Sequence, residues 1–259
     1  MKFTAANKKQ LYSYLKFLFI VFIVLIILVV LYGYNSGSCE VTKSYECSKD
    51  FCLYKEFVPE LNFALRRDID TLSQDLSLYK RVTITMYPEN ILNCAIPNKS
   101  GATLSTASVV KGSPMLINYY QNELRSVISR LTNLTLYPTS LDLPTSCCIL
   151  VYEKENDWIN WHYDYNYYNG RFFTVLIPIT SELTCTKFQF KKDNEVISLD
   201  LTKKGICFEG NYLYHRASKL CDGQKRIMLS CQYVTDNTMS YVNQIRIKLK
   251  DYAYIGKLF

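Results

Sequence analysis

The chain has two histidines, His162 and His215, and both stand where they can do chemistry. In Trp161-His162-Tyr163-Asp164 a histidine and a carboxylate lie two apart. On an extended strand, alternate side chains share a face, so His162 and Asp164 point the same way while Trp161 and Tyr163 point the other. His215 follows in Gly210-Asn211-Tyr212-Leu213-Tyr214-His215-Arg216, just ahead of the stretch leading to the last apolar run. Two imidazoles and one carboxylate form a facial donor set for ferrous iron and leave three coordination positions open, which suits dioxygen activation. Zinc is the principal rival metal for such ligands. Arg226, in Gly223-Gln224-Lys225-Arg226-Ile227-Met228, opens an apolar run. A guanidinium fork there suits bidentate capture of a small dicarboxylate. Lys225 is expected on the opposite face, as a solvated charge.

Strands must position these groups. Beyond Pro144 the chain becomes a series of short β-like runs at 149–152, 158–162, 172–179, 187–190, 196–199, 205–208 and 226–234. Asn169-Gly170, Lys192-Asp193-Asn194 and Asp222-Gly223 supply turn material between them. Closely spaced short strands mean a sandwich, barrel or jelly roll. No helical pattern separates them, which argues against a parallel α/β fold. Upstream, Leu61, Ala64, Leu65, Ile69, Leu72 and Leu76 recur at helical spacing, with Pro59 placed for the first turn. Leu116, Tyr120, Leu124, Val127, Ile128 and Leu131 do the same after Pro114. These two helices are expected to brace the β domain. The stretch 96–112, rich in Ser, Thr, Ala, Asn and Gly, reads as a loop.

Residues 17–34 run without a charge, a length that at about 1.5 Å per residue covers most of a ~30 Å hydrocarbon layer. Lys2, Lys8, Lys9 and Lys16 precede the run, and the first charges after it are Glu40 and Lys43. The positive-inside rule then predicts a single-pass type II membrane protein, N-terminus in the cytoplasm and the remainder in a lumenal or extracytoplasmic space. A cleaved signal peptide, with small residues at Ser36-Gly37-Ser38, is the competing reading. The formal net charge of +7 leans on those four N-terminal lysines, so the balance does not point to nucleic acid. Arg246, Lys248 and Lys250, alternating with Ile245, Ile247 and Leu249, read as a half-exposed strand.

All ten cysteines follow residue 34, an arrangement that suits disulfides in a translocated domain. Adjacent Cys147 and Cys148 are poor partners for each other. Cys207 and Cys231 sit in apolar runs and read as buried thiols. Asn98-Lys99-Ser100 and Asn133-Leu134-Thr135 are N-glycosylation sequons.

In this ordered set, residues 149–234 resemble the double-stranded β-helix domain of the 2-oxoglutarate- and iron(II)-dependent dioxygenases, most closely the prolyl 4-hydroxylase branch. The likeness is carried by Tyr152-Glu153, His162-x-Asp164, Arg171-Phe172-Phe173-Thr174-Val175-Leu176, Lys204 to Asn211 ahead of His215, and Gly223 to Tyr233. It implies that His162, Asp164 and His215 bind Fe(II), that Arg226 binds the distal carboxylate of 2-oxoglutarate, and that Tyr152 lines the co-substrate pocket. Ascorbate is implied as reductant and a polypeptide as substrate. Two departures bear on prolyl specificity. Ser181-Glu182-Leu183-Thr184-Cys185-Thr186 replaces a Gly-Gly-x-Thr-like turn, and Pro178 falls where some relatives carry a co-substrate tyrosine.

The expected class is α+β, mainly β. It comprises a cytoplasmic tail (1–16), a transmembrane signal-anchor (17–34), a cysteine-containing stalk (35–58), a helical support region (59–145), a double-stranded β-helix, or jelly-roll, dioxygenase domain (146–236) and a C-terminal extension (237–259). The expected activity is side-chain hydroxylation of a protein, prolyl first and lysyl second. The alternatives are the same chemistry on a lipid or small molecule, and a catalytically inactive oxygenase-like binding module. Zinc-dependent hydrolysis would need a general base near the metal, and the sequence offers none. Trp158, Trp161, Tyr163, Tyr165, Tyr167 and Tyr168 bracket the metal pair, either as a groove for an extended peptide or as core.

Overall fold

The computed structural model describes residues 5–35, 51, 53–75, 77–84, 97–180, 184–192 and 195–255. Its centre is a curled, wholly antiparallel sheet that fits a jelly roll. The strands are β1 (Tyr54–Phe57), β2 (Tyr79–Ile84), β3 (Lys99–Leu104), β4 (Tyr137–Pro138), β5 (Cys147–Tyr152), β6 (Trp158–His162), β7 (Phe172–Pro178), β8 (Phe188–Lys192), β9 (Glu195–Leu199), β10 (Gly205–Phe208), β11 (His215–Ala217) and β12 (Arg226–Val234). They pair in the order β1-β10-β7-β12-β5-β3-β6-β11-β8-β9, with β2 added to β3 and β4 to β12.

Strand β12 is the axis of the molecule. All nine of its residues are buried between β5 and β7, and its two faces do different work. Ile227, Leu229, Cys231 and Tyr233 enter the main apolar core with Leu116, Tyr120, Leu124 and Ile128. Each large side chain buried there contributes about 1.5–3 kcal/mol relative to exposure. The alternate residues Arg226, Met228, Ser230 and Gln232 line a cavity on the other side. That alternation follows from the period of two along a strand.

The bracing helices form as expected. Helix α1 (Ala5–Asn35) precedes β1, and helix α2 (Phe63–Gln74) buries Leu65, Ile69 and Leu72. Asn62, and not Pro59, starts α2, its Oδ1 accepting from the Leu65 amide at 2.9 Å. Helix α3 (Thr106–Gly112) leads into α4 (Pro114–Asn118), which has Pro114 in its first turn and Ser113 as cap. A π-helical stretch, Tyr119–Leu124, continues into α5 (Arg125–Thr132). Two buried tyrosines tie this unit to the back of β12: Tyr120 Oη donates to the Gln232 carbonyl at 2.9 Å, and Tyr233 Oη donates to the Tyr120 carbonyl at 2.7 Å.

Three expectations are corrected. The supposed loop 96–112 contains β3 and α3. The small side chains of its central Ser-Gly-Ala-Thr hide any hydrophobic period, yet they fit a crowded strand paired to β2, β5 and β6, so tertiary context overrides local propensity. The alternating stretch around Arg246 lies in helix α6 (Tyr241–Tyr254) and not in a strand. There Ile247 is buried with Leu143, Tyr167, Phe172 and Val234, while Lys250, three residues on, shares its side of the helix. The single-pass type II topology is also overturned: among the described residues no helix is long and apolar enough to cross a membrane.

Candidate active site

The metal-ligand candidates converge because β6 and β11 are antiparallel neighbours in which His215 lies directly opposite His162. Their rings stand side by side, centroids 4.2 Å apart. Both are fixed in the same way. Nδ1 of His162 lies 2.7 Å from the Asn160 carbonyl, and Nδ1 of His215 lies 2.7 Å from the Leu213 carbonyl. A carbonyl only accepts, so each Nδ1 carries the proton and each Nε2 presents its lone pair outward, as a metal-binding imidazole must. Those Nε2 atoms sit 3.6 and 4.0 Å from Asp164 Oδ1. One ligand atom from each of the three residues lies within 4.8 Å of the others, a group able to hold a metal ion.

Asp164 is oriented by its neighbours. Its Oδ2 accepts from Thr174 Oγ1 at 2.6 Å, and its backbone amide donates to the Gly210 carbonyl at 2.9 Å. A Cβ at Gly210 would overlap the Asp164 side chain, so only glycine permits this approach. Phe188 stacks on His215 at 5.4 Å and Phe208 meets it edge-on at 4.8 Å, walling one side of the site with hydrocarbon.

The electrostatics suit a cation. Burial, reinforced by neighbouring His215, pushes the His162 pKa down to about 3, which leaves that imidazole neutral at pH 7. Burial acts to raise the Asp164 carboxyl, but His215, His162 and the Thr174 hydrogen bond outweigh it and hold the carboxyl below its usual range. The result is neutral nitrogen beside anionic oxygen.

Arg226 and Tyr152 face each other across β12 and β5 and line the same cavity, of about 100 Å³, as the His-Asp-His group. The guanidinium carbon is 5.8 Å from the Tyr152 ring centre. Arg226 is buried, and among the described residues its side chain has no ion pair or hydrogen bond. A buried, unpaired cation is costly, so this end of the cavity favours an anion. Burial pushes the Tyr152 hydroxyl up to about 12, so it stays protonated as a donor. Pro178 borders a smaller recess on the far side of Arg226, together with Thr180, Thr184, Thr186 and Thr202. A Cys185–Cys221 disulfide joins the two loops flanking that recess. Cys147, Cys148, Cys207 and Cys231 are free and buried, whereas Cys39, Cys47, Cys52 and Cys94 lie outside the described residues.

The aromatic cluster divides. Tyr167 and Tyr168 are buried with α6, whereas Trp161 stacks on Tyr214 at 5.5 Å and Tyr165 is exposed at the cavity mouth. Sequence reasoning missed Thr174, Gly210, Gln232 and Lys250. Gln232 had a legible signal: it follows Arg226 by six residues on the same face, in a run whose only other polar residue is Ser230. Thr174 and Gly210 are brought to Asp164 by pairings that only the fold supplies.

No protein-family model and no curated protein matches the sequence. Solved structures do match. A prolyl hydroxylase from Trichoplax adhaerens, in complex with a hypoxia inducible factor oxygen degradation domain peptide fragment, is 14% identical over 76% of this chain and 86% of that one, with a TM-score of 0.52. An oxidoreductase of the 2OG-Fe(II) oxygenase family from Burkholderia pseudomallei is 12% identical over 76% of this chain and 97% of that one, with a TM-score of 0.54. AviO1 from Streptomyces viridochromogenes is 11% identical over 73% and 91%, with a TM-score of 0.51. At these identities the likeness is one of fold, and with the curled antiparallel sheet and the His-Asp-His group on one cavity wall it leads to one statement: the chain has the fold of the 2-oxoglutarate- and iron(II)-dependent oxygenases.

Proposed function

We propose that the chain is an Fe(II)- and 2-oxoglutarate-dependent dioxygenase that hydroxylates a polypeptide side chain, proline being the first candidate. The observation that carries this reading is a carbonyl-fixed imidazole pair and an ionised carboxylate at one end of a cavity, with a buried Arg226 that has no ion pair among the described residues further along the same wall. The donor set fits ferrous iron. Iron(II), 2-oxoglutarate and dioxygen together would supply oxidation of a substrate C–H bond to an alcohol, with release of succinate and carbon dioxide. In this reading His162, Asp164 and His215 hold the metal, Arg226 pairs with the distal carboxylate of 2-oxoglutarate, and the Tyr152 hydroxyl donates beside it. Thr174 and Gly210 keep Asp164 in place, while Phe188 and Phe208 keep water from the metal-facing wall. A polypeptide substrate is supported by the likeness to the Trichoplax prolyl hydroxylase, whose structure holds a peptide fragment. Ascorbate belongs to the reading as the reductant that maintains iron(II).

The test is succinate release by the full chain with iron(II), 2-oxoglutarate, ascorbate and a panel of proline-rich peptides, alongside His162→Ala and Arg226→Ala. Turnover should be abolished in His162→Ala, and the KM for 2-oxoglutarate should rise by about two orders of magnitude in Arg226→Ala, as for loss of a charge-assisted bidentate pair. No succinate from the iron-loaded wild type with any peptide would sink the proposal.

A further inference from the structure

The cavity has a second polar end, away from Arg226, that the chemistry above does not use. Along β12 the cavity-facing residues run Arg226, Met228, Ser230, Gln232, so Gln232 lies about 20 Å from Arg226 at strand spacing. It sits opposite Thr174, the residue whose hydroxyl holds Asp164, and therefore beside the metal-ligand group. Gln232 is 9% exposed, and its carboxamide has no hydrogen-bond partner among the described residues. Its backbone is fully engaged: the amide donates to the Ser146 carbonyl and the carbonyl accepts from Tyr120 Oη. A mostly buried side chain whose carboxamide reaches the cavity with no protein partner is open to a ligand there.

Helix α6 brings Lys250 to the lining of the same cavity, near the His162 and Asp164 side chains. The Lys250 ammonium lies 3.2 Å from Asp251 Oδ1 and 5.4 Å from the Tyr167 ring centre. Asp251 is fully buried and also accepts from Thr145 Oγ1 at 2.8 Å. The Lys250–Asp251 pair is neutral overall, so this end shows no uncompensated positive charge, in contrast to Arg226.

We propose that Gln232 and Lys250 form the substrate subsite and that it takes a neutral peptide unit, the carboxamide pairing with the N–H and C=O of one extended residue and the ammonium with a neighbouring carbonyl. A carboxylate only accepts and would leave the Gln232 carbonyl without a donor; a hydrocarbon chain would satisfy neither group. This inference rests on the hydroxylase reading above and names the side chains that would hold the backbone of its polypeptide substrate. Gln232 and Lys250 are positioning and specificity residues here, and neither is assigned a part in the oxidation.

The experiment uses the 15N-labelled full chain with zinc in place of iron and with 2-oxoglutarate present, titrated with the capped tripeptide acetyl-Ala-Pro-Ala-amide. The Gln232 side-chain amide resonances, identified by their loss in Gln232→Leu, should shift saturably. Peptide affinity should fall about tenfold in Gln232→Leu and several-fold in Lys250→Met, a variant on a separate element. Resonances that stay still with the peptide, or that move only with N-acetylalanine carboxylate or with octyl glucoside, overturn the proposal. The Arg226 Nε resonance in the same spectra reports 2-oxoglutarate. Its silence alongside a responding Gln232 counts against the reaction class and leaves the peptide subsite standing.

Discussion

Asp164 is held by three contacts: the Thr174 hydroxyl at Oδ2, the Gly210 carbonyl at its amide, and the bare α-carbon of Gly210 against its side chain. A methyl group at position 210 would overlap the Asp164 side chain, so the carboxylate must shift from its place beside the two imidazoles. Supporting groups of this kind are typically worth 10–100-fold in metal affinity. Gly210→Ala should therefore weaken binding of zinc or manganese at least tenfold by calorimetric titration, while circular dichroism stays that of the wild type. Wild-type affinity in that variant would show that the carboxylate can shift without cost. The candidate ligands, which the fold brings together, were legible in sequence because rare residue types carry information: two histidines, one of them two positions from an aspartate on a strand. Thr174 and Gly210 were not, since threonine and glycine are common and their meaning comes from whom they touch.

Among the elements, the connection after β7 and the connection before β12 are separate in sequence but meet beside Arg226, where Cys185 and Cys221 join across 36 residues. The Cys185 amide also donates to Gln224 Oε1 at 2.8 Å, which fixes the approach to Arg226. Closing a loop of that length removes chain entropy from the unfolded state worth about 2–4 kcal/mol. The Cys185→Ser, Cys221→Ser double variant should lose that much stability in urea, and reductant should take a similar amount from the wild type. A variant as stable as its parent in both conditions would show that these loops are already fixed by packing. The strands 158–162, 205–208 and 226–234 were read correctly because they are bounded by turn residues and rich in apolar side chains. Strand β3 was missed for lack of large side chains, and α6 was misread because Ile-Arg-Ile-Lys-Leu-Lys satisfies a period of two as well as a helix with one buried isoleucine.

For the molecule as a whole, burying a neutral His162 ties folding to pH. Its pKa is about 3 in the folded chain against an ordinary value of 6.5, so the unfolded chain binds the extra proton between those limits. Stability from this group is complete above pH 6.5 and is lost as pH falls toward 3. The metal-free protein should show a urea midpoint that drops from pH 7 to pH 4, more steeply than that of His162→Gln; equal slopes would place the acid sensitivity elsewhere. The order of residue types along the chain determined that it would be mainly β, where its candidate metal ligands lie and that an arginine stands at the head of the last strand, because strand period and donor chemistry are local properties. Only the tertiary structure decided that His215 would stand opposite His162, that Thr174 and Gly210 would hold Asp164, and that Gln232 and Lys250 would line one cavity. These depend on strand register and helix docking between segments far apart in sequence, which local periodicity does not encode.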